Sequence, residues 1–158
     1  VRVIRTVVAG ADLEAVRTLF REYEASVGVD LCFQGFAEEL ASLPGDYVEP
    51  AGVLLLAADG GVPAGCVAVH RWDAGACEMK RLFVREAQRG SGCGAELARA
   101  AIDWSRRAGY ARLLLDTLPT MAAAQRLYHQ LGFRDIPPYR LNPVPGARYM
   151  ALTLATGG

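Results

Sequence analysis

Apolar positions along the chain fall into alternating and helical runs that separate cleanly. Residues 2–8 alternate and are rich in β-branched side chains, the pattern of a strand. Leu13, Val16, Leu19, Phe20 and Tyr23 then recur at helical spacing, which predicts a helix from a cap at Asp12 to about residue 24. A shorter helix is predicted over 34–43, stopped by Pro44-Gly45. Apolar runs at 52–58 and 63–71, joined by Asp59-Gly60-Gly61, read as a hairpin. A third strand in this run, 77–84, is reached through the short turn 73–75. Residues 94–108 predict a helix that buries Leu97, Ala101 and Trp104. Strand 111–117, helix 120–131 and strand 148–154 follow, with proline-marked loops between. Early strands joined by turns are antiparallel, whereas a later helical crossover joins parallel ones. The expected class is therefore α/β (α+β), a mixed sheet flanked by helices.

Composition narrows this picture. With 158 residues, 52% of them hydrophobic, the chain is long enough for a proper core and is expected to form a single domain over 1–158. Its 17 basic and 17 acidic residues balance, without a polybasic or polyacidic run, so neither nucleic acid nor an anionic membrane surface is the expected partner. No apolar stretch reaches the length of a membrane span, and the first residues lack a signal-peptide pattern. With Val1 at the start, a short leader stays open. Cys32, Cys66, Cys77 and Cys93 show neither metal-ligand spacing nor a CxxC pair. The expectation is no metal, and thiols in a reducing, cytoplasmic setting.

The candidate chemistry centres on Arg89-Gly90-Ser91-Gly92-Cys93-Gly94, between the strand 77–84 and a helix opening near Ala95. Glycines at alternate positions permit positive φ and leave amides approachable, and the helix start adds the positive end of its dipole: together an anion site suited to phosphates. Alone, the run is equally a tight turn. It lacks the Gly-Lys-Ser/Thr ending of a P-loop, and its glycine spacing and late position do not fit a dinucleotide fingerprint. Cys93 is read as a small residue accepted within the turn, the alternative being that it faces ligand.

Arg-x-x-Gly-x-Gly after a carboxylate-bearing strand resembles the acyl-CoA loop of the GNAT N-acetyltransferase superfamily. The stretch Ala124-Gln125-Arg126-Leu127-Tyr128-His129-Gln130-Leu131-Gly132-Phe133 is similar to that family's Ala-x-x-Leu-Tyr-x-x-x-Gly-Phe. The resemblance covers essentially the whole chain and is most specific from Glu78 to Phe133. It implies an additional short strand near 133–136 and a splayed parallel pair, here 77–84 and 111–117, whose gap takes the pantetheine arm of acetyl-CoA as co-substrate. It further implies that the strand segment Leu82, Phe83 and Val84 lines that arm, with main-chain groups of Leu82 and Val84 bonding it and the Leu82 N–H polarising the thioester carbonyl. Amides from Arg89 through Gly90, Ser91, Gly92, Cys93 and Gly94 to Ala95 would hold the pyrophosphate.

By the same resemblance Tyr128 is the acid that reprotonates the departing thiolate, the alternative being a core-facing aromatic beside Leu127 and Leu131. Glu78 takes the place of the carboxylate base on the strand. The alternative is that it pairs with Lys80 or with a neighbouring strand. Regular alternation would put Glu78, Lys80 and Leu82 on one face and Met79, Arg81 and Phe83 on the other. His70 and His129 read as structural or solvent-facing. Where many family members carry Asn, this chain has Met121, with Thr117 and Thr120 as candidate substitute hydroxyls.

The acceptor side is expected from 22–47 and 137–149. Glu22, Glu24, Asp30, Glu38, Glu39 and Asp46 interleaved with Phe33, Phe36 and Tyr47 would suit a cationic amine, unless they form a solvated helix face. Arg71, Lys80, Arg81, Arg140 and Arg148 would equally suit a carboxylate. The resulting expectation is an N-acetyltransferase acting on a small primary amine by direct attack in a ternary complex. A non-catalytic acyl-CoA sensor and a protein N-acetyltransferase are the competing classes. The resemblance is compatible with a homodimer but indicates no surface for one.

Overall fold

The computed structural model describes residues 1–28 and 35–154. Cys32, Asp30, Phe33 and the start of the predicted second helix lie outside these residues. The strands are β1 (Arg2–Thr6), β2 (Val53–Asp59), β3 (Val62–Arg71), β4 (Ala76–Val84), β5 (Arg112–Thr117), β6 (Arg134–Ile136) and β7 (Arg148–Thr153). They form one sheet in the order β1-β2-β3-β4-β5-β7-β6, parallel only between β4 and β5. The helices among the described residues are α1 (Gly10–Val27), α2 (Phe36–Ser42), α3 (Cys93–Arg107) and α4 (Ala122–Gln130), with a single 3-10 turn at Glu86–Gln88.

Every predicted element with described residues is present, with ends shifted by up to a few residues. The helix α1 opens earlier than expected: Ala9 is the residue before it, no side chain caps it, and Asp12 sits inside its first turn, holding Arg5 at 3.0 Å. Asp12 therefore acts on the helix dipole rather than as a cap.

Two apolar clusters sandwich the sheet. One packs Val16, Leu19 and Phe20 of α1 and Phe36 of α2 against Leu54, Leu56, Cys66 and Phe83. The other packs Leu97, Ala101 and Trp104 of α3 and Tyr128 of α4 against Val67, Met79, Leu113 and Met150. The central strands β2, β3 and β5 carry unbroken apolar runs because both of their faces are covered.

Gly65 sits where β3 meets the end of β4. A Cβ there would lie 2.6 Å from the Phe83 carbonyl oxygen and 3.0 Å from Leu97 Cδ1. Gly65→Ala is accordingly expected to cost about 2–3 kcal/mol in urea unfolding. An unchanged midpoint would show that the two strands yield without cost.

Candidate functional site

The site begins with a break in β4. Cys66 pairs with Phe83 and Ala68 with Lys80, so Arg81 and Leu82 together stand opposite Val67. Arg81 takes up the extra residue with φ 61°, a left-handed conformation uncommon for a side chain of this size. The bulge corrects the face assignment expected from regular alternation. Phe83 and Arg81 join Glu78 and Lys80 on the α1/α2 side, while Leu82 and Val84 pack with Met79 towards α3 and α4.

Pairing of β4 with β5 ends at the same region. It covers only Ala76–Arg112, Cys77–Leu113 and Glu78–Leu114; beyond, β5 stays paired with β7 alone and the two parallel strands part. The Arg85 N–H donates to the Ala64 carbonyl at 2.9 Å, which makes Arg85 and Phe83 the residues bonded to β3. Alternation then turns the main-chain groups of Leu82 and Val84 into the gap. The Val84 carbonyl accepts from Arg89 Nε at 3.0 Å.

Below the gap runs an apolar trough of about 300 Å³, lined by Leu82, Val84, Ala124 and Leu127 and closed at one end by Gly90, Gly92 and Gly94. Gly90 and Gly92 have φ of 80° and 88°, and Gly92 is the residue before α3, which no side chain caps. Within the turn, the amides of Arg89 and Ser91 donate to the Glu86 and Gln88 carbonyls. The amides left without a partner inside the turn are therefore those of the glycines and the first turn of α3, groups suited to an anion. Arg2 braces this turn from β1: Nε donates to Glu96 Oε2 at 2.6 Å, and its terminal nitrogens reach the Ser91 hydroxyl and carbonyl, each at 2.8 Å. That contact offsets the Glu96 carboxylate, which would otherwise stand in the first turn of α3 beside an incoming anion. Cys93 is buried and also borders the trough.

A neck of about 30 Å³ adjoins the trough at Leu82 and is bounded also by Lys80, Asp116, Met121, Tyr23 and Tyr128. Tyr128 is buried in α4, its ring 5.6 Å from that of Phe133, and burial pushes its phenol well above the ordinary value. Asp116 is half-buried near the end of β5. It accepts from Asn142 Nδ2 at 3.1 Å and has no cationic partner within ion-pair distance among the described residues. The Thr117 hydroxyl is turned to Met121 Sδ at 3.7 Å, so it is committed inside the wall.

Beyond the neck lies a second cavity of about 330 Å³, lined by Glu39, Tyr47, His70, Lys80 and Arg140 with Asp46 at its rim. Glu78 sits behind this wall, fully buried, and borders neither the cavity nor the neck. Its Oε1 is 2.7 Å from His70 Nε2 and 3.1 Å from Arg140, and Tyr139 Oη donates to Oε2 at 2.6 Å. Burial alone would raise the Glu78 carboxyl, but the His70 bond, the Lys80 and Arg140 charges and Tyr139 outweigh it and hold it below its ordinary value. An ionised carboxylate only accepts, so His70 carries its hydrogen on Nε2.

Two of the acids expected to line a cationic pocket are taken by arginines. Glu22 is bound by Arg85 at 2.9 and 2.8 Å, and Glu39 by Arg81 at 2.9 and 2.8 Å. Phe36 is a core residue, whereas Tyr47, though buried, borders the second cavity. His129 lies on the surface of α4 beside Asp135 and Arg148. No group of His, Cys, Asp and Glu among the described residues could hold a metal ion, and no described helix is long and apolar enough to cross a membrane.

A family model described as acetyltransferase (GNAT) family matches residues 13–133, most of the chain and all of the gap, turn and neck. The chain belongs to the GNAT acetyltransferase family. An uncharacterized N-acetyltransferase of Schizosaccharomyces pombe is 42% identical, over 91% of this chain and 90% of the relative. Among solved structures, an acetyltransferase from Streptococcus agalactiae superposes with a TM-score of 0.80 at 18% identity, covering 97% and 98% of the two chains. An N-acetyltransferase from Thermoplasma acidophilum, solved in complex with coenzyme A, gives 0.77 at 16% identity, with 97% and 99% covered. These two likenesses establish the GNAT fold. The acetyltransferase site fits an acyl-CoA on its own features: uncapped amides for a diphosphate, an apolar trough for an extended arm, and strand main chain turned towards it.

Asp116 was not singled out by the sequence reading. Its one signal was a lone carboxylate closing the apolar run Leu113-Leu114-Leu115, on the strand expected to splay.

Proposed function

We propose that this GNAT acetyltransferase, acting as one unit over 1–158, moves the acetyl group of acetyl-CoA to the primary amine of a small molecule, by direct attack with both substrates bound. The observation that carries this reading is the neck. Leu82, Tyr128 and Asp116 border one small space, which shares Leu82 with the apolar trough and Lys80 with the charged cavity.

Each group has a role that its surroundings suit. The thioester of acetyl-CoA supplies an activated acetyl carbon. Amides of Gly90, Gly92 and the first turn of α3 hold the diphosphate, and Leu82 and Val84 align the arm. The Leu82 N–H stabilises the charge that develops on the thioester oxygen, a contribution of about 3 kcal/mol for a donor of this kind. Asp116 accepts the proton that the amine loses as its nitrogen–carbon bond forms and the carbon–sulfur bond breaks. Tyr128, held protonated by burial, gives its proton to the departing sulfur. We assign the base to Asp116 rather than to Glu78, because Glu78 is enclosed by its three partners and borders neither space. Glu78 instead fixes His70, Tyr139 and Arg140 in the cavity wall. Free, buried Cys66, Cys77 and Cys93 support a reducing, cytoplasmic setting.

Thiol release from acetyl-CoA across an amine panel tests the reading. Release should depend on amine, and Asp116→Asn should lower kcat/KM roughly 10²-fold. If Glu78→Gln rather than Asp116→Asn brings that loss, the base is Glu78. Acetyl-CoA binding without amine-dependent release would favour a sensor.

A further inference from the structure

We infer that the acceptor is an amine that also carries a carboxylate, a small amino acid, with its amine in the neck and its carboxylate held by Lys80 and Arg140 in the adjoining cavity. This rests on the transferase reading above and deepens it.

Charge accounting in the cavity wall leads there. Both oxygens of Glu39 are taken by Arg81, and both oxygens of Glu78 are taken by His70, Arg140 and Tyr139. Against these two carboxylates stand Lys80, Arg81 and Arg140, one positive charge in surplus when His70 is neutral. The remaining acid, Asp46, is exposed at the rim, and Asp116 faces the neck.

Lys80 holds the surplus. Its side chain is 8% exposed, and its one ion-pair contact among the described residues is Glu39 Oε1 at 3.9 Å, beyond hydrogen-bond reach. An ammonium that lines the cavity with its stem buried, and with no hydrogen-bond acceptor among the described residues, is a ready partner for a carboxylate. Arg140 is the second donor. One terminal nitrogen of its guanidinium pairs with Glu78 Oε1 at 3.1 Å and the group lies 4.9 Å from the Trp72 ring centre, while its buried Nε has no hydrogen-bond partner among the described residues. Its planar fork suits a carboxylate.

The bulge sets the spacing. Lys80 lines both the cavity and the neck, so a molecule gripped there by its acid end can place its other end beside Asp116 and Tyr128. A volume of about 330 Å³ fits a small acceptor and not a folded protein surface. Burial and the Arg81 charge also bring the Lys80 ammonium down to about 8, so its grip on a carboxylate should weaken above that pH.

The test is steady-state thiol release with proteinogenic and short ω-amino acids, each paired with its carboxamide, at pH 7 and pH 9. For the best amino acid, wild-type kcat/KM should exceed that of the carboxamide by about 30-fold, mainly through KM. The preference should shrink at pH 9 and fall towards unity in Lys80→Gln and in Arg140→Gln. The wild-type comparison needs no variant, so a poorly folding substitution leaves the test intact. Turnover of carboxamides at least as good as that of amino acids would overturn the carboxylate site while leaving the transferase reading in place. Absence of thiol release with every amine would overturn both.

Discussion

Tyr128→Phe is expected to lower kcat for amine-dependent CoA release roughly 10²-fold while leaving acetyl-CoA affinity within about 3-fold. The substitution deletes one oxygen and keeps the ring that packs against Phe133 at 5.6 Å, so the α4 side of the core should be preserved. The expected split follows from the surroundings. Burial in the neck drives the phenol pKa upward, which keeps the proton on Tyr128 throughout the neutral range. It is available to a sulfur that becomes basic only as the carbon–sulfur bond breaks, and so acts on the transition state rather than on the bound substrates. Ionisation of Tyr128 therefore contributes no alkaline limb between pH 7 and 9. Parallel calorimetry with acetyl-CoA and single-turnover thiol release would check this. Unchanged kcat would remove Tyr128 from the chemistry and leave it a packing residue.

The largest stability effect is expected at Arg81. Its guanidinium, 3% exposed as a residue, binds Glu39 through two nitrogens and lies 4.9 Å from the Phe36 ring centre. Arg81→Met strands a mostly buried carboxylate, and loss of one member of such a pair costs about 3–5 kcal/mol. For a chain of this length that is a fall in Tm of roughly 6–20 °C. The pH dependence carries a sign. In the native protein, burial works to raise the Glu39 carboxyl, but the Arg81 bonds and charge hold it below its ordinary value. Its stabilising contribution is present above the unfolded pKa and is lost as pH falls through the folded one. In Arg81→Met the burial cost is left with only the Lys80 charge and a Tyr47 hydrogen bond against it, so the folded pKa rises and protonation relieves the strain. The difference between the two proteins should then be largest at pH 7 and shrink towards pH 4 in urea melts. Adding Glu39→Leu should recover most of the loss, since removing both charges removes the unpaired one. A pH-independent difference would mean that packing, not charge, sets the cost.

Much of the fold was legible because its signals are local. The hairpin at Asp59-Gly60-Gly61, the α3 face of Leu97, Ala101 and Trp104, and the glycine turn each announce themselves within a few residues. The gap was legible through the family resemblance, since splaying is a relation between two strands distant in sequence. What stayed hidden has physical causes of the same kind. A bulge inserts one residue without changing composition, so period-two reading assigned Leu82, Arg81 and Phe83 to the wrong faces. The fate of the acids depended on tertiary partners: Glu22 finds Arg85, and Glu39 finds Arg81, far along the chain. Glu78 is placed on its strand as expected, yet Tyr139 and Arg140 arrive from the loop between β6 and β7 and enclose it. No periodicity could have given that contact.

The brace from Arg2 to Ser91 and Glu96 ties the glycine turn, proposed above to hold a diphosphate, to β1, an edge strand whose one neighbour is β2. Whatever orders that turn must also resist fraying of the sheet's far edge, because opening β1 releases the turn. By linkage, the free energy of ligand binding is shared with a strand that never touches the ligand. Amide protons of 2–6 therefore serve as reporters of occupancy, exchanging more slowly with solvent as the turn fills.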